Sequence, residues 1–222
     1  MDMNTDQGGL RSYFLQSIPS WARESSLMKK GGFDIFEGLV DERGRRLMLE
    51  EAMKLKIAGC RSEVVYSDAE DVRGGSPARR FHSARGGDVQ DGFYNSEWTM
   101  KFLRSICGPS LNPTGQRGTF SYYVQPGDHL AIHRDIETCD VAVITCLLDV
   151  PDPKGDGGRL CMYPTRAFEP LSSIRATPER GAVKIRLLSG QTIVMLGGIV
   201  PHSVLPTAPD QHRIVSVLCY RL

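Results

Sequence analysis

From Gly118 onward the chain divides into short runs rich in Val, Ile, Thr, Tyr and Phe, bounded by Gly and Pro. They span 119–124, 129–132, 141–150, 159–162, 182–185, 192–195, 203–205 and 214–220. Runs of this length and content read as strands. Eight of them fit the two facing sheets of a jelly roll. The expected fold is therefore mainly β, with helices contributed by the N-terminal half.

That half has a different character. Residues 1–9 are polar, with paired glycines, and are expected to be disordered. In 10–21, Leu10, Tyr13, Phe14 and Ile18 recur near helical spacing, and Pro19 ends the pattern. A short strand is expected over 34–39. Asp41 then caps a helix running to about Ala58, with Gly59 as its stop. Leu47, Met48, Leu49, Ala52, Met53, Leu55 and Ile57 supply its apolar face. A strand at 63–66 follows. Residues 68–92 then read as a long loop, Gly-rich and of mixed charge, carrying Arg73, Arg79, Arg80 and Arg85. A loop this long is either solvated surface or a lid that sets an arginine against an anionic substrate group. Ser96 caps a helix through about Ile106 with Trp98, Phe102, Leu103 and Ile106 inward, and Gly108-Pro109 stops it. The 222 residues suit a single domain over 10–222: helical support and lid region over 10–117, jelly-roll core over 118–222.

Composition excludes several partners. A net charge of +1 gives no bulk field for nucleic acid or an anionic membrane. No apolar run approaches a membrane span. The first residues hold acids and glycines where a signal peptide needs a basic and then an apolar stretch. The six cysteines form no C-x-x-C and sit largely in apolar runs, which reads as buried thiols in a reducing cytoplasm rather than disulfides or zinc ligands.

The chemistry concentrates in 123–135, Tyr-Val-Gln-Pro-Gly-Asp-His-Leu-Ala-Ile-His-Arg-Asp. His133 and Asp135 are two apart, so on a strand both project to one side. An imidazole and a carboxylate converging on one point are two thirds of the 2-His-1-carboxylate set that holds non-haem Fe(II) with open positions. The candidate third ligand is His202, which follows an apolar strand and a turn; His129, His82 and His212 are the alternatives. Arg213 heads the last apolar strand. A cation entering an apolar barrel needs a fixed anion. A co-substrate carboxylate meets that need through two hydrogen bonds, and a surface acid is the bland alternative.

In this order, His133-x-Asp135, His202 and Arg213 resemble the H-x-D…H…R arrangement of the Fe(II)/2-oxoglutarate-dependent dioxygenases. The 123–135 segment is similar to the approach to the iron site in their prolyl-hydroxylase-like branch. Gly157-Gly158-Arg159-Leu160, Ser189-Gly190 and Pro201-His202-Ser203-Val204 resemble later strands of that branch. The likeness covers about residues 96–222. It implies a double-stranded β-helix with iron on His133, Asp135 and His202. It also implies 2-oxoglutarate with its distal carboxylate on Arg213 and a second contact from Tyr123. Thr145 and Leu147, on one face of the strand after H-x-D, would line the pocket by alternation. The implied activity is oxidation of an unactivated C–H using O2, with release of succinate and CO2 and with ascorbate as an open option. The implied substrate is a small polar molecule such as an amino acid or natural-product intermediate, or else a prolyl peptide. A metal-binding jelly roll without catalysis is the reading from another class. The chain departs from collagen-type prolyl hydroxylases in having Arg, not Lys, at the co-substrate position. Asp135 stands where halogenating relatives have a small residue, and the second C-terminal arginine pattern of the nucleic-acid demethylating branch is missing.

Overall fold

The computed structural model describes residues 25–66, 73, 75–150 and 155–222. The expectations for 1–9 and 10–21 lie outside these residues, as do 68–72 and 74 of the expected lid. In chain order the elements are α1 (Ser26–Lys29), β1 (Phe33–Phe36), α2 (Glu42–Leu55), β2 (Cys60–Val64), β3 (Arg79–Arg85), α3 (Asp88–Tyr94), α4 (Glu97–Cys107) and β4 (Asn112–Pro113). The eight expected strands follow: β5 (Thr119–Tyr123), β6 (His129–His133), β7 (Val141–Val150), β8 (Leu160–Met162), then α5 (Leu171–Ala176), β9 (Val183–Ile185), β10 (Thr192–Met195), β11 (His202–Val204) and β12 (His212–Arg221).

All pairings are antiparallel, in the order β1-β10-β7-β12-β5-β3-β6-β11-β8-β9, with β2 added to β3 and β4 to β12. β3 turns the corner: His82 to Arg85 pair with β5, while Arg79 and Arg80 pair with β6. The sheet curls so that β10-β7-β12-β5 and β6-β11-β8-β9 face each other, and side chains from both line one cavity. This is a jelly roll.

Strand alternation sorts the apolar residues into layers. Ala142, Cys146, Ile193 and Met195 point inward to meet Leu160 and Met162 of the opposite face. Val141, Val143, Val194 and Leu218 point outward, under Met100, Leu103 and Cys107 of α4. Met48 and Ala52 of α2 cover Phe120, Tyr122, Leu147 and Ile214. Fully burying a side chain such as Leu103 contributes about 1.5–3 kcal/mol. Both helices start as the sequence indicates: the Asp41 carboxylate accepts from Gly44 N–H at 2.7 Å, and Ser96 Oγ accepts from Thr99 N–H at 3.1 Å.

Three expectations are corrected. Residues 68–92 are not one loop: 79–85 form the corner strand and 88–94 a helix. Its charged residues misled the reading: Arg79, Arg80 and Arg85 lie on the strand, with Arg80 and Arg85 exposed. Leu47, Met53 and Ile57 of the α2 region, and Trp98 of α4, are exposed, so the buried stripes are narrower than the apolar content suggests. Cys139 and Cys219 are joined in a disulfide with Cα atoms 5.0 Å apart. The ladder sets Cys219 opposite Ala142, three residues from Cys139, a neighbourhood that a sequence separation of 80 conceals. Among the described residues no helix is long and apolar enough to cross a membrane.

Candidate metal centre

β6 ends and β11 begins on a histidine, and the ladder pairs the two directly: His133 opposite His202. Their ring centroids are 4.3 Å apart. Each ring is oriented from behind. His133 Nδ1 is 2.9 Å from Ala131 O, and His202 Nδ1 is 3.0 Å from Val200 O. A carbonyl can only accept, so each Nδ1 carries the proton and donates it. Each Nε2 is then left with a lone pair, and this backing of a ring by a fixed acceptor is how ligating histidines are held. Both Nε2 atoms lie 3.6 Å from Asp135 Oδ1. The ligand atoms of the three residues all lie within 4.8 Å of one another, and no other group of three or more His, Cys, Asp or Glu converges this way among the described residues.

Asp135 lies beyond the end of β6, so no ladder fixes it. Its N–H donates to Gly197 O at 2.9 Å. Gly197 also leaves room for the carboxylate: a Cβ there would sit 1.9 Å from Asp135 Oδ2. The disulfide packs beside it, with Cys139 Sγ 3.7 Å from the same oxygen. Charges in the cluster are coupled. Burial lowers the His133 pKa, and the neighbouring His202 adds to this. Burial also opposes protonation of His202, but the Asp135 carboxylate outweighs it and raises the pKa. Burial pushes the Asp135 carboxyl up, and the two imidazoles outweigh that and hold it below the usual range. The carboxylate is thus held ionised between two imidazoles, and a divalent metal at that point would replace the proton that Asp135 favours on His202.

The cavity before the triad measures about 210 Å³. Arg213 of β12 reaches into it and is only 3% exposed. Its Nη1 donates to Gly158 O, while its Nε has no protein partner. Tyr123 lies opposite Arg213 on β5 and lines the same cavity. Burial pushes the Tyr123 phenol up, against the pull of the nearby Arg213, so it stays a protonated donor at neutral pH. Apolar walls come from Leu130, Ile144, Leu160, Met195, Val204 and Val215.

Thr145 and Leu147 do not line the cavity. The alternation was counted on the wrong face: Ala142 and Ile144 point in. Thr145 points out to share a hydrogen bond with Thr192, its Oγ1 2.9 Å away, and Leu147 packs beneath α2. The alternative histidines lie elsewhere. His82 Nε2 meets Lys56 O, His129 Nδ1 meets Gly127 O, and His212 is exposed. Sequence reasoning missed Phe81, which lines the cavity with its ring 5.2 Å from Tyr123, and it missed the contacts of Gly197 and Arg73. The signal for the glycines was their pairing just before Pro201-His202.

No protein-family model and no curated protein matches the chain. Solved structures do. A Pseudomonas putida prolyl-4-hydroxylase is 17% identical with a TM-score of 0.59, covering 91% of this chain and 99% of its own. A Trichoplax adhaerens prolyl hydroxylase, bound to a hypoxia inducible factor oxygen degradation domain peptide fragment, is 18% identical with a TM-score of 0.60, covering 94% and 92%. The epimerase SnoN of nogalamycin biosynthesis, in complex with Fe3+, alpha ketoglutarate and nogalamycin RO, is 17% identical with a TM-score of 0.62, covering 90% and 83%. At these identities the likeness is one of fold, and the fold of this chain is that of the Fe(II)/2-oxoglutarate oxygenases.

Proposed function

We propose that the protein is an Fe(II)- and 2-oxoglutarate-dependent oxygenase that oxidises an unactivated C–H of a small polar molecule. The observation that carries this reading is Arg213. A buried guanidinium with an unpartnered N–H, in the same cavity as a converged His-Asp-His set, calls for a fixed anion. A metal-binding jelly roll without catalysis has no use for such an arginine.

His133, Asp135 and His202 would hold the metal through Nε2, one carboxylate oxygen and Nε2. Iron with 2-oxoglutarate and O2 supplies C–H oxidation coupled to release of succinate and CO2. The protein's part is binding and exclusion. Arg213 would grip the distal carboxylate of the co-substrate, and the Tyr123 hydroxyl would donate to it. The apolar walls keep water from the reacting end and strengthen the Arg213 contact by lowering the local dielectric.

A small-molecule substrate is supported by SnoN, whose complex holds nogalamycin RO, and by HygX from Streptomyces hygroscopicus, whose structure holds nickel, 2-oxoglutarate and hygromycin B. The prolyl hydroxylases of like fold support a peptide as the second reading. A panel of small polar metabolites and proline-containing peptides, read by succinate formation with Fe(II), separates the two. Arg213→Ala should raise the 2-oxoglutarate requirement by about 30-fold or more, the equivalent of losing about 2 kcal/mol or more from a buried charged pair. Arg213→Lys should recover only part, since an ammonium lacks the fork. An alanine variant with an unchanged requirement would remove the anchor from this reading.

A further inference from the structure

Arg73 reaches into the turn that carries Asp135. Its Nε donates to Asp135 O at 3.0 Å, its Nη2 to the carbonyls of Ile136 and Cys139, the latter at 2.8 Å, and its Nη1 to Asp140 Oδ1 at 2.8 Å. One guanidinium thus satisfies four acceptors within residues 135–140. Gly198 makes room for it: a Cβ there would come within 2.5 Å of the guanidinium carbon.

These contacts complete the support of the carboxylate. Asp135 stands outside the β6 ladder, which ends at His133. Its N–H is held by Gly197 O and its C=O by Arg73. The planar fork fixes the direction of several acceptors at once, which a point charge on a flexible stem does not. We propose that Arg73 is a positioning residue for the metal-binding carboxylate, a bracket that joins the segment after β2 to the metal centre. The inference rests on the metal-site reading above. It predicts that metal affinity depends on a side chain that touches no metal.

The test is Co(II) titration of the full-length protein by calorimetry, with the Co(II) absorption spectrum as a report of ligand geometry. Arg73→Ala should weaken Co(II) binding by about 10- to 100-fold, the range seen when a partner of a ligand is lost. It should alter the spectrum while leaving the Michaelis constant for 2-oxoglutarate unchanged, because the Arg213 contacts are intact. Arg73→Lys should recover only a small part. Guanidinium added to the alanine variant at millimolar concentration, far below denaturing levels, should restore affinity. Should the alanine variant fail to fold, the lysine variant is read by the same criteria. His202→Ala is the reference. If it binds Co(II) like the parent, the metal-site reading fails and this inference with it. If His202→Ala loses Co(II) while Arg73→Ala and Arg73→Lys bind it with parental affinity and spectrum, the role of Arg73 alone is overturned.

Discussion

Asp135 and Gly197 show how narrow the tolerances of the centre are. Gly197 has no positive φ, so its backbone conformation suits any residue. Its small size matters because the Asp135 carboxylate occupies the space a side chain would take. Gly197→Ala should therefore fold with a melting temperature near the parent's and yet bind Co(II) about tenfold or more weakly, because the displaced group is the proposed ligand itself. Calorimetry and a thermal melt on one sample decide it. Parental affinity would mean that the carboxylate can move aside at no cost to the site. Such a variant separates site from fold more cleanly than removing a histidine, which takes away a proposed ligand and a buried ring together.

Among the elements, β3 has the greatest structural consequence. Among the described residues it is the one strand that pairs with both faces of the roll, through β5 and β6, and it carries β2 as well. It also presents Phe81 to the cavity. Ser83 has Cys60 on one side and Ser121 on the other, so its N–H serves a ladder. Ser83→Pro removes that donor and should cost about 1–3 kcal/mol, seen as an earlier urea midpoint. A solvated loop would absorb the same change without effect, so an unmoved midpoint would restore the loop reading. Legibility followed a physical pattern. The eight strands after Gly118 were readable because each is short, apolar and bounded by turn residues. His133, Asp135, His202 and Arg213 were readable because titratable groups stand out at the ends of such strands. β3 was not, because Arg79-Arg80-Phe81-His82-Ser83-Ala84-Arg85 has little apolar content and earns its place through pairing partners distant in sequence. The face of β7 was misassigned because alternation gives two faces but does not say which is inward. That depends on register with β10 and β12, where Leu147 forms a bulge against the Ile214–Val215 step.

For the whole molecule, close packing of ionisable groups makes stability depend on pH from the alkaline side. Burial pushes the Cys107 thiol up to about 12 and the Cys146 thiol up to about 11, from an ordinary value of 9.0. Burial likewise pushes the Tyr122 phenol up to about 12 from 10.0. All three stay protonated in the fold at pH values where the unfolded chain has begun to lose those protons. Below about pH 9 both states hold them, and the groups do not favour unfolding. As pH rises from 9.0 towards 11 and 12, the unfolded chain binds fewer protons than the folded one. Stability must then fall with pH, by at most roughly 1.4 kcal/mol per pH unit for each group that differs. Urea denaturation from about pH 8 to about pH 11 reads this directly as a declining free energy of unfolding. Cys146→Val keeps an apolar side chain of similar size while removing one titrating group, so its decline should be shallower than the parent's by the share of that group. The Cys139–Cys219 disulfide does not titrate and so adds nothing to the slope. Stability that stays level across the range, or a Cys146→Val variant with the parental slope, would show that these thiols ionise as readily inside the fold as outside it.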